Sequence, residues 1–221
     1  MTADLRAQRS AHYRAAADRP SQRRNAPEGT SFAVRASMRD FELRETGGDS
    51  GALTFVGYAS VTETGYEMYD MFGPYTEVVA ADAFDETLNR ADLDVPFVIA
   101  HDQTRRIART TNETLNLSVD EHGLRVEATL DPSDVDVAYI VPKLRAGLID
   151  EMSFAFRIEK GRWSPDYTEF RIDKVDIHRG DVAIVGYGAN PHTDGGMRTE
   201  TPAAAPKSRI SVPSDLMRAR I

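Results

Sequence analysis

Alternation of apolar and polar residues recurs along the middle of the chain, and a period of two predicts strands. Ala52 to Val61 carries Leu53, Phe55, Tyr58 and Val61, then runs into the polar, Gly-containing stretch Thr62 to Gly65. Val95 to Ala100 is a short, nearly continuous apolar run, the pattern of a strand covered on both faces. Leu115 to Val119 and Leu124 to Leu130 flank Asp120-Glu121-His122-Gly123, which predicts a hairpin with Gly available for a left-handed position. Met152 to Ile158 alternates cleanly, with Met152, Phe154, Phe156 and Ile158 on one face and Ser153, Ala155 and Arg157 on the other. Thr168 to Ile177 and Asp181 to Tyr187 read as further strands.

Helical periodicity interrupts this pattern. In Ala81 to Ala91, Phe84 and Leu88 share a face, and Asp82, Asp85 and Glu86 sit where the helix dipole favours acids. A second helix is expected from about Val135 to Ala146, announced by Asp131-Pro132-Ser133-Asp134 and ended by Gly147. Pro142 inside it implies a kink or a late start. Strands at roughly regular spacing with a few non-alternating helices give a mainly β (α+β) class, a β-barrel or sandwich decorated by helices.

The ends differ from the middle. Arg6, Arg9, Arg14, Arg19, Arg23 and Arg24 face only Asp4, Asp18 and Glu28 as acids, and Asp4 to Ala17 would form a helix with mostly Ala to bury. Residues 1–30 therefore read as a flexible basic arm, 31–199 as the folded domain, and 200–221, with Thr201-Pro202-Ala203-Ala204-Ala205-Pro206, as a flexible tail. Composition narrows the chemistry. Among 221 residues there is no Cys, which removes disulfides, thiolate catalysis and Fe–S clusters. A formal charge of -8 argues against a general grip on nucleic acid or an anionic membrane. No apolar run is long enough to span a bilayer and the start lacks the apolar core of a secretory signal, so the chain is expected to stay where it is made.

Without Cys, a covalent mechanism rests on Ser, Thr or Lys, with His the natural base near neutral pH. His12, His122 and His192 fall in arm, turn and loop, and read as solvated; His178 ends a strand beside Arg179-Gly180. His101 stands apart, because the apolar strand Phe97-Val98-Ile99-Ala100 delivers its imidazole to a strand end. Ser153 lies on the face opposite the Phe residues, next to the small Ala155, where a peptide has room. Asp181 opens the apolar run Val182-Ala183-Ile184-Val185. These are a possible base, nucleophile and orienter, and the bland alternatives are a capped strand end, a surface Ser and an ordinary salt bridge.

Several segments, in order, resemble the prohead serine proteases of HK-type tailed phages, from the herpesvirus-assemblin-like clan. They are Gly57-Tyr58-Ala59, Glu77 to Leu88 (EVVAADAFDETL), Phe97 to Asp102 (FVIAHD), Gly123-Leu124-Arg125-Val126, Gly147-Leu148-Ile149, Glu151 to Phe156 (EMSFAF), and Asp181 to Val185 leading to Ala189-Asn190-Pro191. The resemblance spans about Thr54 to Thr193. It implies an assemblin-like β-barrel ringed by helices, and a serine endopeptidase packaged in the assembling prohead in the host cytoplasm. The implied substrate is the major capsid protein or its scaffold, with own copies processed as well; no metal, organic cofactor, nucleic acid or membrane is implied. His101 falls on the family's base, Ser153 on its nucleophile and Asp181 on its third catalytic position, where many relatives carry Glu. The shorter carboxylate must then approach the imidazole closely. A non-catalytic capsid-assembly module on the same barrel is the alternative, and a metal hydrolase built on His101-Asp102 would need a second His and further carboxylates.

Overall fold

The computed structural model describes residues 3–13, 33–37, 41–45 and 51–186. In chain order the elements are α1 (Ala3–His12), β1 (Ala33–Ser37), β2 (Phe41–Glu45), β3 (Leu53–Val61), β4 (Tyr66–Asp70), β5 (Gly73–Val79), α2 (Asp85–Leu88), β6 (Pro96–Ile99), β7 (Asp102–Arg109), β8 (Leu115–Val119), β9 (Gly123–Leu130), α3 (Val135–Arg145), β10 (Glu151–Trp163) and β11 (Glu169–Val185). The larger sheet runs β1-β10-β11-β5-β4, with β6 added to β11 and β7 to β6; the smaller runs β2-β3-β9-β8.

The core lies between the sheets. Phe55 of β3 meets Phe97 of β6 with ring centroids 5.0 Å apart, and on β10 Phe154 stacks on Phe156 at 4.3 Å. Gly57 makes the close approach possible, since a Cβ there would stand 2.8 Å from the Met152 sulfur. Helix α3 begins at an Asp134 N-cap, whose side chain accepts from the Asp136 and Val137 amides. It buries Val137, Ile140, Val141 and Leu144, and it ends at Gly147, which has φ +62°. Pro142 lies within it without delaying its start.

Both sheets are open, and the expected barrel is not closed. Closure needs every edge strand to find a second partner. Among the described residues β1, β4 and β7 of the larger sheet and β2 and β8 of the smaller pair on one side only. The mostly β class with few helices stands as expected.

Local expectation and structure part where tertiary contacts compete with pattern. The β8–β9 hairpin is as expected, with Asp120 accepting from the His122 and Gly123 amides. Gly123 is needed there for close approach: a Cβ would fall 2.0 Å from the Ser60 carbonyl oxygen. The strands expected over Thr168 to Ile177 and Asp181 to Tyr187 are one long strand, β11. Helix α2 is shorter than its periodicity suggests, because the Ala83 carbonyl accepts from the Val175 amide of β11 and holds the preceding turn in place. Strand β7 begins Asp-Gln-Thr-Arg-Arg and carries no alternation; it survives as a charged edge strand.

Of the arm expected over residues 1–30, residues 3–13 are described. Helix α1 is docked, and what it buries is a cation rather than an apolar stripe. Arg9 is fully buried and forks onto Asp70, with Nε to Oδ2 and Nη2 to Oδ1 both at 2.9 Å. Its remaining protons go to the carbonyls of Tyr167 at 2.9 Å, Gly73 at 2.8 Å and Pro74 at 3.2 Å. The guanidinium also lies over the Tyr75 and Trp163 rings, 5.5 and 5.4 Å from their centroids. Tyr13, just past the helix, stacks on Trp163 at 5.2 Å. Residues 14–30, the tail over 200–221 and the expected limits of the domain lie outside the described residues.

A buried pair this well satisfied is costly to break from one side, because the other charge is left in the interior. Replacing Arg9 by Met is expected to lower the unfolding free energy by about 3 kcal/mol. Urea denaturation followed by circular dichroism measures this; a change within about 0.5 kcal/mol would mean that α1 contributes nothing to stability.

Candidate active site

The site is built where β6 lies parallel to the last part of β11, with Val182, Ala183 and Ile184 opposite Phe97, Val98 and Ile99. On the other side of β11, Ser153 of β10 pairs with Ala183 and Ala155 with Asp181. Opposed residues share a face, so Ser153 and Asp181 stand diagonally on the same side of the sheet. That side carries its own small apolar cluster of Val98, Ala183 and Val185, separate from the core between the sheets. The alternation read from Met152 to Ile158 is therefore what aims Ser153 away from the Phe residues. Ser153 is completely buried, unlike the surface Ser that its sequence context alone suggests.

His101 reaches this face from a turn. Ala100 and His101 both have positive φ, 54° and 58°, as the two central residues of a tight hairpin do. The Ala100 amide donates to the Ile184 carbonyl at 2.8 Å, which ties the turn to the end of β11. The polar run after His101 is the return strand β7. His101 Nδ1 stands 2.6 Å from Asp181 Oδ1. An ionised carboxylate only accepts, so Nδ1 carries the proton, and in the neutral ring Nε2 is the acceptor. Nε2 is buried and has no hydrogen-bond partner among the described residues. The Asp181 side chain is 3% exposed.

Sequence reasoning missed Gln103. Its Nε2 donates to Asp181 Oδ2 at 2.6 Å, so both carboxylate oxygens are held. Gln103 can do so because the β6–β7 register jumps from Ile99↔Asp102 to Val98↔Arg106, and the residues between bulge out. No local signal marks such a bulge. Asp102 turns away, accepting from the Thr104 amide and hydroxyl at 2.9 and 2.6 Å. His178 is structural: its Nδ1 accepts from the Asp94 amide at 3.2 Å. His122 packs on Tyr58, and His192 lies outside the described residues. No group of His, Asp and Glu that could hold a metal ion occurs among the described residues.

A carboxylate-held imidazole, with a serine on the carboxylate's face of the sheet, is the equipment of a serine hydrolase. Residues 39–207 match the family model of the caudovirus prohead serine protease, and the chain belongs to that family. No curated protein and no solved structure matches it. The family's activity is serine proteolysis in capsid maturation, within the assembling prohead and on capsid or scaffold protein. No helix among the described residues is long and apolar enough to cross a membrane.

A left-handed Ala costs about 1 kcal/mol that Gly does not, so Ala100→Gly is expected to stabilise the fold by about 0.5–1 kcal/mol in urea denaturation. At the open end of the β6–β7 hairpin, away from the turn, Arg109 forks onto Asp94 with both contacts at 2.7 Å, and this ion pair holds the Asp94 carboxyl below the usual carboxylate range. A lowered folded-state pKa gives stability that is present above the unfolded value and is lost as pH falls through the folded one. The stability difference between wild type and Asp94→Asn should accordingly be greatest near neutral pH and shrink in acid; a difference independent of pH would contradict it.

Proposed function

We propose that the chain is a serine endopeptidase in which Ser153 is the nucleophile, His101 the general base and acid, and Asp181 the orienter. His101 Nε2 takes the Ser153 hydroxyl proton as Oγ attacks the scissile carbonyl. It then returns that proton to the leaving amine, and a water deprotonated by the same nitrogen hydrolyses the acyl-enzyme. Asp181 fixes the tautomer and stabilises the imidazolium. The single observation that carries this reading is the 2.6 Å His101–Asp181 contact on the face of the sheet that bears Ser153. The substrates are the major capsid protein or a scaffold and, in trans, other copies of the chain.

A non-catalytic assembly module has one observation in its favour, the complete burial of Ser153. Catalysis therefore requires the cover over Ser153 to open for a peptide. A fluorophosphonate probe separates the readings: labelling of wild type but not of Ser153→Ala supports the protease, and no labelling of either supports the module.

If the residues act as a unit, Ser153→Ala, His101→Ala and the double variant should each lose cleavage of the phage's own capsid protein by on the order of 10⁶-fold, without multiplying. Asp181→Ala should cost less, on the order of 10⁴-fold. Cleavage sites and rates are read by mass spectrometry of new N-termini, and wild-type activity in Ser153→Ala would remove Ser153 as nucleophile. Intact mass of wild type beside Ser153→Ala reports self-processing.

A further inference from the structure

A cleft of about 300 Å³ opens beside Gln103, the residue that holds Asp181, and its walls include Asp94, Gln103, Arg106, Arg109, Arg179 and Gly180. It shares Gln103 with the candidate site and ends at the residue before Asp181. Its charge is unbalanced. Asp94 is the single acid among these walls, and both of its oxygens are taken by Arg109. Arg106 is held at the rim by two bonds to Gln103, from Nε to the carbonyl at 2.8 Å and from Nη2 to Oε1 at 3.3 Å, and it is exposed. The exposed Arg179 guanidinium makes no hydrogen bond or ion pair among the described residues. A chain of net charge -8 thus keeps a cationic cleft next to its candidate catalytic pair.

Backbone strain marks the same place. Arg179 has φ +58°, a left-handed conformation that is costly for any residue with a Cβ. At Gly180 a Cβ would fall 1.8 Å from the Ala155 carbonyl oxygen, so β11 is pressed onto β10 there and Arg179 is turned out of the strand. The Arg179 amide is fixed by the Asp94 carbonyl at 2.8 Å. These contacts present a rigidly rooted cation at the cleft rim, where a regular strand would not put one.

We propose that this cleft is a substrate subsite for an acidic side chain, with Arg179 and Arg106 pairing with the carboxylate of a Glu or Asp near the scissile bond. The proposal rests on the Ser153–His101–Asp181 reading. Its reach is set by register: Gly180 lies three positions along β11 from Ala183, the partner of Ser153. At about 3.3 Å per residue that is roughly 10 Å, or about three residues of an extended peptide. A guanidinium matches a carboxylate by paired, charge-assisted hydrogen bonds, and a cleft of this size takes one side chain rather than a nucleic-acid helix.

The test is cleavage-site profiling of the full-length chain on a proteome-derived peptide library, with new N-termini read by mass spectrometry. Wild type should enrich Glu or Asp at one fixed position within about three residues of the cut, and Glu→Gln in a matched peptide should lower kcat/KM by about 10- to 100-fold. The double variant R106E/R179E should lose this preference and favour Lys or Arg at the same position, whereas R179K should keep it. Cleavage by wild type without an acidic preference, or an unchanged preference in R106E/R179E, overturns the subsite and leaves the Ser153 reading intact. Wild-type cleavage by Ser153→Ala overturns that reading, and the subsite with it. Retention on immobilised heparin that is lost in R106E/R179E while peptide preference is unchanged assigns the cleft to a polyanion and likewise overturns the proposal.

Discussion

The candidate site depends on β11 holding two parallel neighbours in succession. Along Glu169 to Ile172 the strand lies beside β5, and along Val182 to Ile184 it lies beside β6. The change of neighbour falls between Ile172 and Val182, a stretch that contains the left-handed Arg179, Gly180 and Asp181. Because β6 is in register with the segment after Asp181, the hairpin turn that follows β6 carries His101 back over that carboxylate. Remove the parallel pairing and a residue 80 positions away has no reason to meet it. On the other side β10 holds β11 in antiparallel register and sets Ser153 on the Asp181 face.

Strain is concentrated around this junction. Ala100, His101 and Arg179 are all left-handed without being glycine, and the β6–β7 register slips beside them. Each costs on the order of 1 kcal/mol or more, which the paired strands on either side can hold in place. Such conformations let a short turn carry an imidazole and let a strand expose a cation at the edge of a cleft. Away from the junction, positions are filled more conventionally: Phe97, Phe154, Ile184 and Met152 pack between the sheets, and α3 covers part of that core with its apolar face.

The far end of the larger sheet is held differently. There a buried guanidinium ties α1 to β4 and β5, with carboxylate, carbonyls and aromatic faces all used. An amphipathic-helix argument finds little in Ala3–His12, because Ala and Arg dominate it. The energy lies in one ion pair whose partner, Asp70, is 61 residues away.

Period-two alternation and turn chemistry were enough to read the mostly β class, the β8–β9 hairpin, the capped α3, and the separation of Ser153 from the Phe face of β10. The sequence also picked out His101, Ser153 and Asp181 from their places beside apolar strands and from a family resemblance that the family match bears out. Tertiary structure alone decided that the sheets stay open, that β11 is one strand rather than two, and that α1 docks. The bulge that brings Gln103 to Asp181 belongs with these. The physical reason is range. Alternation fixes which face a side chain takes, whereas register between β6 and β11, and the burial of Arg9 against Asp70, are settled only when distant segments compete for the same hydrogen bonds and the same core.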